Sequence, residues 1–148
     1  MGTFSERGEA ELKGCAVRLQ EVMRLAKDWS YVDFDIVQGP RTIEKQREYF
    51  AGGKSKVNPD AYANLADLYK AAKHVTGPGM GYSRACDIKA VSEEGPYDIE
   101  SLCVIAGAIL AAAKHLGVKV RWGADWTGKG RVFVKGTFID APHFEIQD

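Results

Sequence analysis

Tyr31-Val-Asp-Phe-Asp-Ile-Val37 sets Val32, Phe34 and Ile36 on one side of an extended chain, with Asp33 and Asp35 between them. Period-two alternation of this kind is the mark of a strand with one buried face. Gly39-Pro40 ends it. Upstream, Leu12, Cys15, Ala16, Leu19, Val22, Met23 and Ala26 recur at steps of three and four, which predicts one amphipathic helix over Glu9–Ala26. Downstream, Thr42 is placed to cap a helix running to Phe50, and Gly52-Gly53 stops it. Ser55–Asn58 reads as loop, and Pro59 can open a helix over Asp60–Lys73. Gly77-Pro-Gly-Met-Gly-Tyr-Ser83 must be a loop, and Ala85–Val91 reads as a second strand. Leu102, Ile105, Ala106, Ile109, Leu110 and Ala113 predict a helix over Asp98–His115, with Gly117 just past its end. Val118–Trp122 alternates again, Thr127–Arg131 is a polar turn, and Phe133–Phe138 and His143–Ile146 carry shorter strand signals. Helices and strands mix without regular alternation, so the fold class is α+β.

Composition narrows the function. The chain has 148 residues, 45% of them hydrophobic and 27% charged, which suits a single folded domain spanning 1–148. Lys plus Arg and Asp plus Glu both number 20, so the net charge is zero and the long-range field of a nucleic-acid binder is missing. The longest apolar run, Val104–Ala113, is shorter than the roughly 20 residues of a membrane span. The first ten residues are polar, with no apolar core of a secretory signal, so a cytoplasmic start is expected. Cys15, Cys86 and Cys103 form no C-x-x-C pair and read as small buried hydrophobes.

There are three histidines. His115 falls near a helix C-terminus, where an imidazolium is favoured by the free carbonyls. His74 sits at the mouth of the Gly-rich loop, and His143 lies in Asp140-Ala-Pro-His-Phe-Glu145. Asp87 follows Arg84-Ala-Cys at the entry to an apolar strand, where a carboxylate must be paired, metal-bound or exposed. Two histidines and one aspartate form a valid catalytic zinc set, leaving a fourth position for water. Composition alone does not single that set out. No H-E-x-x-H helix and no G-x-S-x-G elbow is present, and the Gly77-x-Gly79-x-Gly81 spacing lacks the Gly-Lys-Ser/Thr ending of a phosphate loop.

These residues bring a family into view. Val37-Gln-Gly-Pro-Arg-Thr42, Lys73-His-Val-Thr-Gly77 with Arg84-Ala-Cys-Asp87, Trp122-Gly-Ala-Asp-Trp126 and Asp140–Glu145 occur in the order seen in M15 metallopeptidases. The chain resembles that family of D-alanyl-D-alanine and L-alanyl-D-glutamate peptidases, and within it the small phage endolysins. One departure stands out. The family's His and Asp are usually seven residues apart, and seven back from Asp87 is Met80, a poor zinc ligand. Pro78–Ser83 is therefore read as an insertion that leaves His74 as the ligand; the family's serine two before the histidine is Ala72 here.

The resemblance implies helices packed around a small antiparallel sheet, with Zn2+ held at one edge of the sheet by His74, Asp87 and His143. It implies hydrolysis of an amide bond in the peptidoglycan peptide stem, L-Ala-D-Glu for an endolysin. The protein would be a monomer, without nucleic-acid or membrane partners, held in the host cytoplasm until it is released to the wall. Asp140 is the candidate base, with Glu145 second, a carboxylate otherwise facing solvent. Strand alternation would set Asp140 and His143 on opposite faces, but Pro142 allows a bend that aims both inward. Arg41 matches the family arginine that holds the substrate carbonyl or its oxyanion, Gln38 would help to orient substrate, and Asp125 would support a ligand histidine. Trp122 and Trp126 read as core or cleft wall. The rival readings are a D-Ala-D-Ala carboxypeptidase or dipeptidase of wall remodelling, and a peptidoglycan-binding module without zinc.

Overall fold

Gly14 interrupts the long N-terminal helix that periodicity predicts. In the computed structural model, which describes residues 2–77 and 81–147, α1 spans Glu6–Lys13 and α2 spans Val17–Trp29. Between them the backbone turns aside to bond Ser83: Ser83 N–H donates to Gly14 O and Ala16 N–H to Ser83 O, each at 2.8 Å. A Cβ on Gly14 would come within 2.1 Å of Pro40 Cγ, so only glycine fits there. Apolar period three-to-four survives across the break because both helices face one core.

The remaining elements are β1 (Phe34–Gln38), α3 (Ile43–Ala51), α4 (Leu65–Ala71), β2 (Ala85–Ala90), α5 (Ile99–Leu116), β3 (Val120–Trp122) and β4 (His143–Ile146). Thr42 caps α3 through Lys45 N–H, and Asp98 caps α5 through Ser101 N–H. Gly117 takes φ +70° past the end of α5, where L side chains are strained. The predicted helix over Asp60–Lys73 is split. Pro59–Ala61 makes one 3₁₀ turn, and α4 starts only after Asn64, whose side chain accepts from Asp67 N–H. An Asn that caps a new helix ends the old one. Phe133–Phe138 forms no strand. Gly130 and Gly136 bracket it at positive φ, Phe133 itself has φ +54°, and its ring packs edge-on against Trp122.

The strands form one antiparallel sheet in the order β1-β2-β4-β3. Its two faces differ in chemistry. Phe34, Ile36, Cys86, Ile88, Phe144 and Trp122 point into the core with α2 and α5, which pack on one another. α5 is long and apolar enough, by length and composition, to cross a membrane. Here Leu102, Ile105, Ala106, Ile109, Ala112 and Ala113 are buried in that core. Cys15 and Cys86 are buried as expected, whereas Cys103 lies on the outer side of α5 and is exposed. The ring of His115 meets Trp29 edge-on near the end of α5. A small second cluster, Leu68, Tyr69, Ala72 and Val75, holds α4 and the chain around His74.

Glu9 ties α1 to α2. Its carboxylate accepts from both Arg24 Nη1 (2.9 Å) and Nη2 (2.7 Å) and from Phe4 N–H. The Arg24 bonds come first among the causes that lower its pKa to about 2. A depressed carboxylate contributes stability above its unfolded pKa and loses it as pH falls through the folded one. Glu9→Gln is therefore expected to lower stability at pH 7 by about 1 kcal/mol or less, as for a partly exposed pair, and Tm slightly with it. The gap to wild type should close between pH 4.5 and 2, as followed by thermal melts across that range.

Candidate metal centre

The polar face of the sheet carries the site. Asp87 of β2 and His143 of β4 are direct cross-strand partners, and Gln38 of β1 stands opposite Asp87. Plain alternation would send Gln38 into the core beside Ile36. A register shift between Ile36 and Gln38 re-aims it to the polar face. His74 arrives from the turn after α4. Its position is set by a backbone weave: Arg41 N–H donates to His74 O (2.8 Å), and Thr76 N–H donates to Arg41 O (3.0 Å). Gly39 can take part only without a Cβ, which would lie 2.5 Å from Glu11 O and 2.7 Å from Cys15 Sγ.

Three atoms converge. His74 Nε2 lies 3.1 Å from Asp87 Oδ1 and 3.1 Å from His143 Nδ1, and His143 Nδ1 lies 3.2 Å from Asp87 Oδ1. Each ring commits its other nitrogen elsewhere. His74 Nδ1–H donates to Gly39 O at 2.7 Å, and His143 Nε2–H donates to Glu145 Oε1 at 2.9 Å. Those outer bonds fix the tautomers and leave two lone pairs and a carboxylate oxygen facing one point. A tetrahedral ion with ligands at about 2.0–2.1 Å has ligand–ligand edges of about 3.3 Å, close to this triangle. The donor set fits zinc, and the group His74, Asp87 and His143 can hold a metal ion.

The site's titratable groups act on one another through charge and hydrogen bonds. Burial works against charge on His143, but hydrogen bonds to Asp87 and Glu145 outweigh it and push the imidazole up to about 9. Asp87 is held well below the usual carboxylate range: burial opposes this, and the charge of His74 and the bond to His143 overcome it. Asp140 goes the other way, raised by burial and then by the negative charge of Asp87.

The sequence-predicted residues meet in one cavity of about 920 Å³ on this face. Asp140 and His143 both line it, because Ala141-Pro142 makes a turn closed by His143 N–H to Asp140 O at 3.0 Å. Asp140 Oδ2 lies 4.0 Å from His143 Nδ1. Arg41 lies across from it, with Nη2 4.0 Å from Asp87 Oδ2. Gln38 Oε1 accepts from Arg41 Nε and Nη2, and Gln46 Oε1 accepts from Nη1 at 2.8 Å. Gln38 thus orients Arg41, whatever it does with substrate. Trp126 lines the cavity beside the His143 ring, while Trp122 is core and donates to Ala141 O under the 140–143 turn.

Two expectations need correction. Asp125 does not support a histidine. Its carboxylate accepts from Thr127 Oγ1 and from Gly128 and Gly130 N–H, so it closes the polar turn over 127–131. Glu145 is not a solvent-facing carboxylate; it is buried behind His143. Sequence reading also misses Gln46 and Tyr49. Gln46 is fully buried and links Arg41 to Ser55 Oγ and Val57 O, and Arg41 stacks 4.5 Å over the Tyr49 ring. Gln46 lies three residues after Ile43, on the inward side of α3, and a polar residue there is the one available signal.

The loop expectation can be judged at its ends. Arg84 N–H donates to Lys73 O at 2.9 Å, so the chain leaves and returns at one point while His74 keeps its place in the triangle. Pro78, Gly79 and Met80 lie outside the described residues.

An α+β domain with a His-Asp-His group that can hold a metal ion on the open face of its sheet, flanked by a carboxylate and an arginine, has the groups a hydrolase needs. The comparisons narrow this to one family. The chain belongs to the phage L-alanyl-D-glutamate peptidase family, whose sequence model matches residues 1–147. It is 32% identical over 146 residues to the L-alanyl-D-glutamate peptidase of Escherichia phage T5, covering 97% of this chain and 96% of that one. Its fold is similar to the crystal structure of the Serratia marcescens L-Ala D-Glu endopeptidase ChiX, with a TM-score of 0.67 and 27% identity over 97% of this chain and 89% of the other.

Glu145→Gln is expected to lower metal affinity about 10–100-fold without unfolding the domain, because the imidazole loses its charged acceptor. Titration against a competing chelator measures this.

Proposed function

We propose that this protein is a zinc-dependent peptidase that hydrolyses the L-Ala-D-Glu amide bond of the peptidoglycan stem, working as a phage endolysin in host cell lysis. Its release from the host cytoplasm to the wall, and its action as a monomer, belong to the same proposal. The observation that carries it is the triangle of His74, Asp87 and His143, with both outer nitrogens already bonded, on the floor of a cleft that also holds Asp140 and Arg41. Membership in a peptidase family supports the reaction class.

A zinc ion held by these three residues supplies Lewis acidity, lowering the pKa of a water and polarising an amide carbonyl. The chain's own residues do the rest. Asp140, lining the same cavity, takes the proton of the attacking water and passes it to the leaving amine. Arg41 has three of its five N–H groups bound to Gln38 and Gln46. The rest of its fork is free for the oxygen on which charge develops. Glu145, behind His143, keeps the ring in place.

Arg41→Lys keeps the charge but loses the fork. We expect kcat and kcat/KM to fall together, by about 10²-fold or more as for a lost oxyanion donor, with metal content and Tm near wild type. Unchanged kcat would make Arg41 a structural residue. For the function itself, chelator-treated protein should stop solubilising purified peptidoglycan and recover with added zinc. Lysis that survives complete metal removal would refute the zinc reading, and wall binding without any bond cleavage would leave a binding module.

A further inference from the structure

The cleft is far more basic than the protein. The net charge of the chain is zero, yet seven Lys or Arg side chains line the cavity against three carboxylates, Asp87, Asp140 and Glu145. Those carboxylates already have cationic neighbours. Arg41 faces Asp87 and Asp140, and Arg121 and Lys73 face Glu145. Four cations are left over: Arg7, which also lines a neighbouring cavity with Asp35, and the three lysines Lys54, Lys56 and Lys70. All three are exposed, and none forms an ion pair among the described residues.

Two of them are parked rather than loose. Lys54 Nζ stands 5.8 Å from the Tyr49 ring and Lys56 Nζ 5.6 Å from the Phe138 ring. An aromatic face steadies an ammonium without neutralising it. Tyr49 is also the ring under Arg41, so the lysine flank is continuous with the arginine of the site. Lys70 lies in the last turn of α4, four residues before His74. Cations of one sign around a concave site raise the local concentration of anionic ligands.

We propose that Lys54, Lys56 and Lys70 form a carboxylate-recognition flank that makes the site selective for acidic stem peptides over their amidated counterparts. This rests on the peptidase reading above and specifies its substrate. A D-Glu joined into a chain through one carboxyl leaves the other free, and amidation removes that charge without altering the amide to be cut. The lysine flank meets the free carboxylate with charge-assisted hydrogen bonds that a carboxamide cannot match.

The test uses two synthetic stem peptides, identical but for a free or amidated D-Glu carboxyl. Binding to the full-length zinc-loaded protein is followed by tryptophan fluorescence, since Trp126 lines the cleft, and turnover by release of the new amine. The acidic peptide should bind about 10-fold more tightly, with the difference in KM rather than kcat. The preference should shrink toward one in roughly 0.5 M salt, where exposed charges are screened. It should shrink likewise in Lys54→Gln/Lys56→Gln/Lys70→Gln, whose exposed positions let it fold. Equal binding of the two peptides, or a preference that survives both salt and the triple substitution, overturns the proposal. Charge-dependent binding with neither peptide cut would uphold the flank and sink the peptidase reading instead.

Discussion

Asp140→Asn is expected to keep its metal and its fold while hydrolysing peptidoglycan about 10²–10⁴-fold more slowly, the usual size of a lost acid–base group. The geometry sets this apart from a structural effect. Asp140 is held by its backbone, through its N–H to Gly123 O and its carbonyl to His143 N–H. Its carboxylate has no hydrogen bond among the described residues and lines the cavity with Oδ2 4.0 Å from His143 Nδ1. Trimming its charge therefore removes chemistry, not packing. Glu145 occupies the opposite situation, bonded to the far nitrogen of His143. If Glu145→Gln, with its metal fully loaded, lost more turnover than Asp140→Asn, the base would have to be reassigned.

His74→Ala should lose stoichiometric zinc and, with it, all measurable hydrolysis. Removing one of three protein ligands leaves too few donors for a tight site. Met80→Ala is the control, since Met80 holds the position seven residues before Asp87. It should keep its zinc. Zinc retained in His74→Ala but lost in Met80→Ala would overturn the alignment on which the ligand set rests. Metal analysis of the two purified variants decides between them, and circular dichroism shows whether each is folded.

Much of this architecture is legible in the amino-acid sequence. Period-two alternation locates β1 and β3, the apolar stretch after the Gly-rich loop locates β2, and the apolar period of α5 with its Asp98 cap and Gly117 stop locates the central helix nearly to the residue. Those signals are local, so local sequence carries them. What sequence reading misses depends on partners distant in the chain. The break at Gly14 needs Ser83 and Pro40; the bulge that turns Gln38 outward needs the register with β2. Motif order picks out His74, Asp87 and His143 as candidate ligands, and the structure adds why they meet: a cross-strand pair and a backbone weave. Glu145 and Asp125 are misread because a carboxylate's partner cannot be inferred from its own neighbours in sequence.

The bond that is cut tests the central claim most directly. Purified peptidoglycan digested with the zinc-loaded protein should yield a new free amine on D-Glu and a new free carboxyl on L-Ala, in equal amounts and only while metal is bound. Release of D-Ala from the stem terminus, with no new amine on D-Glu, would contradict the account.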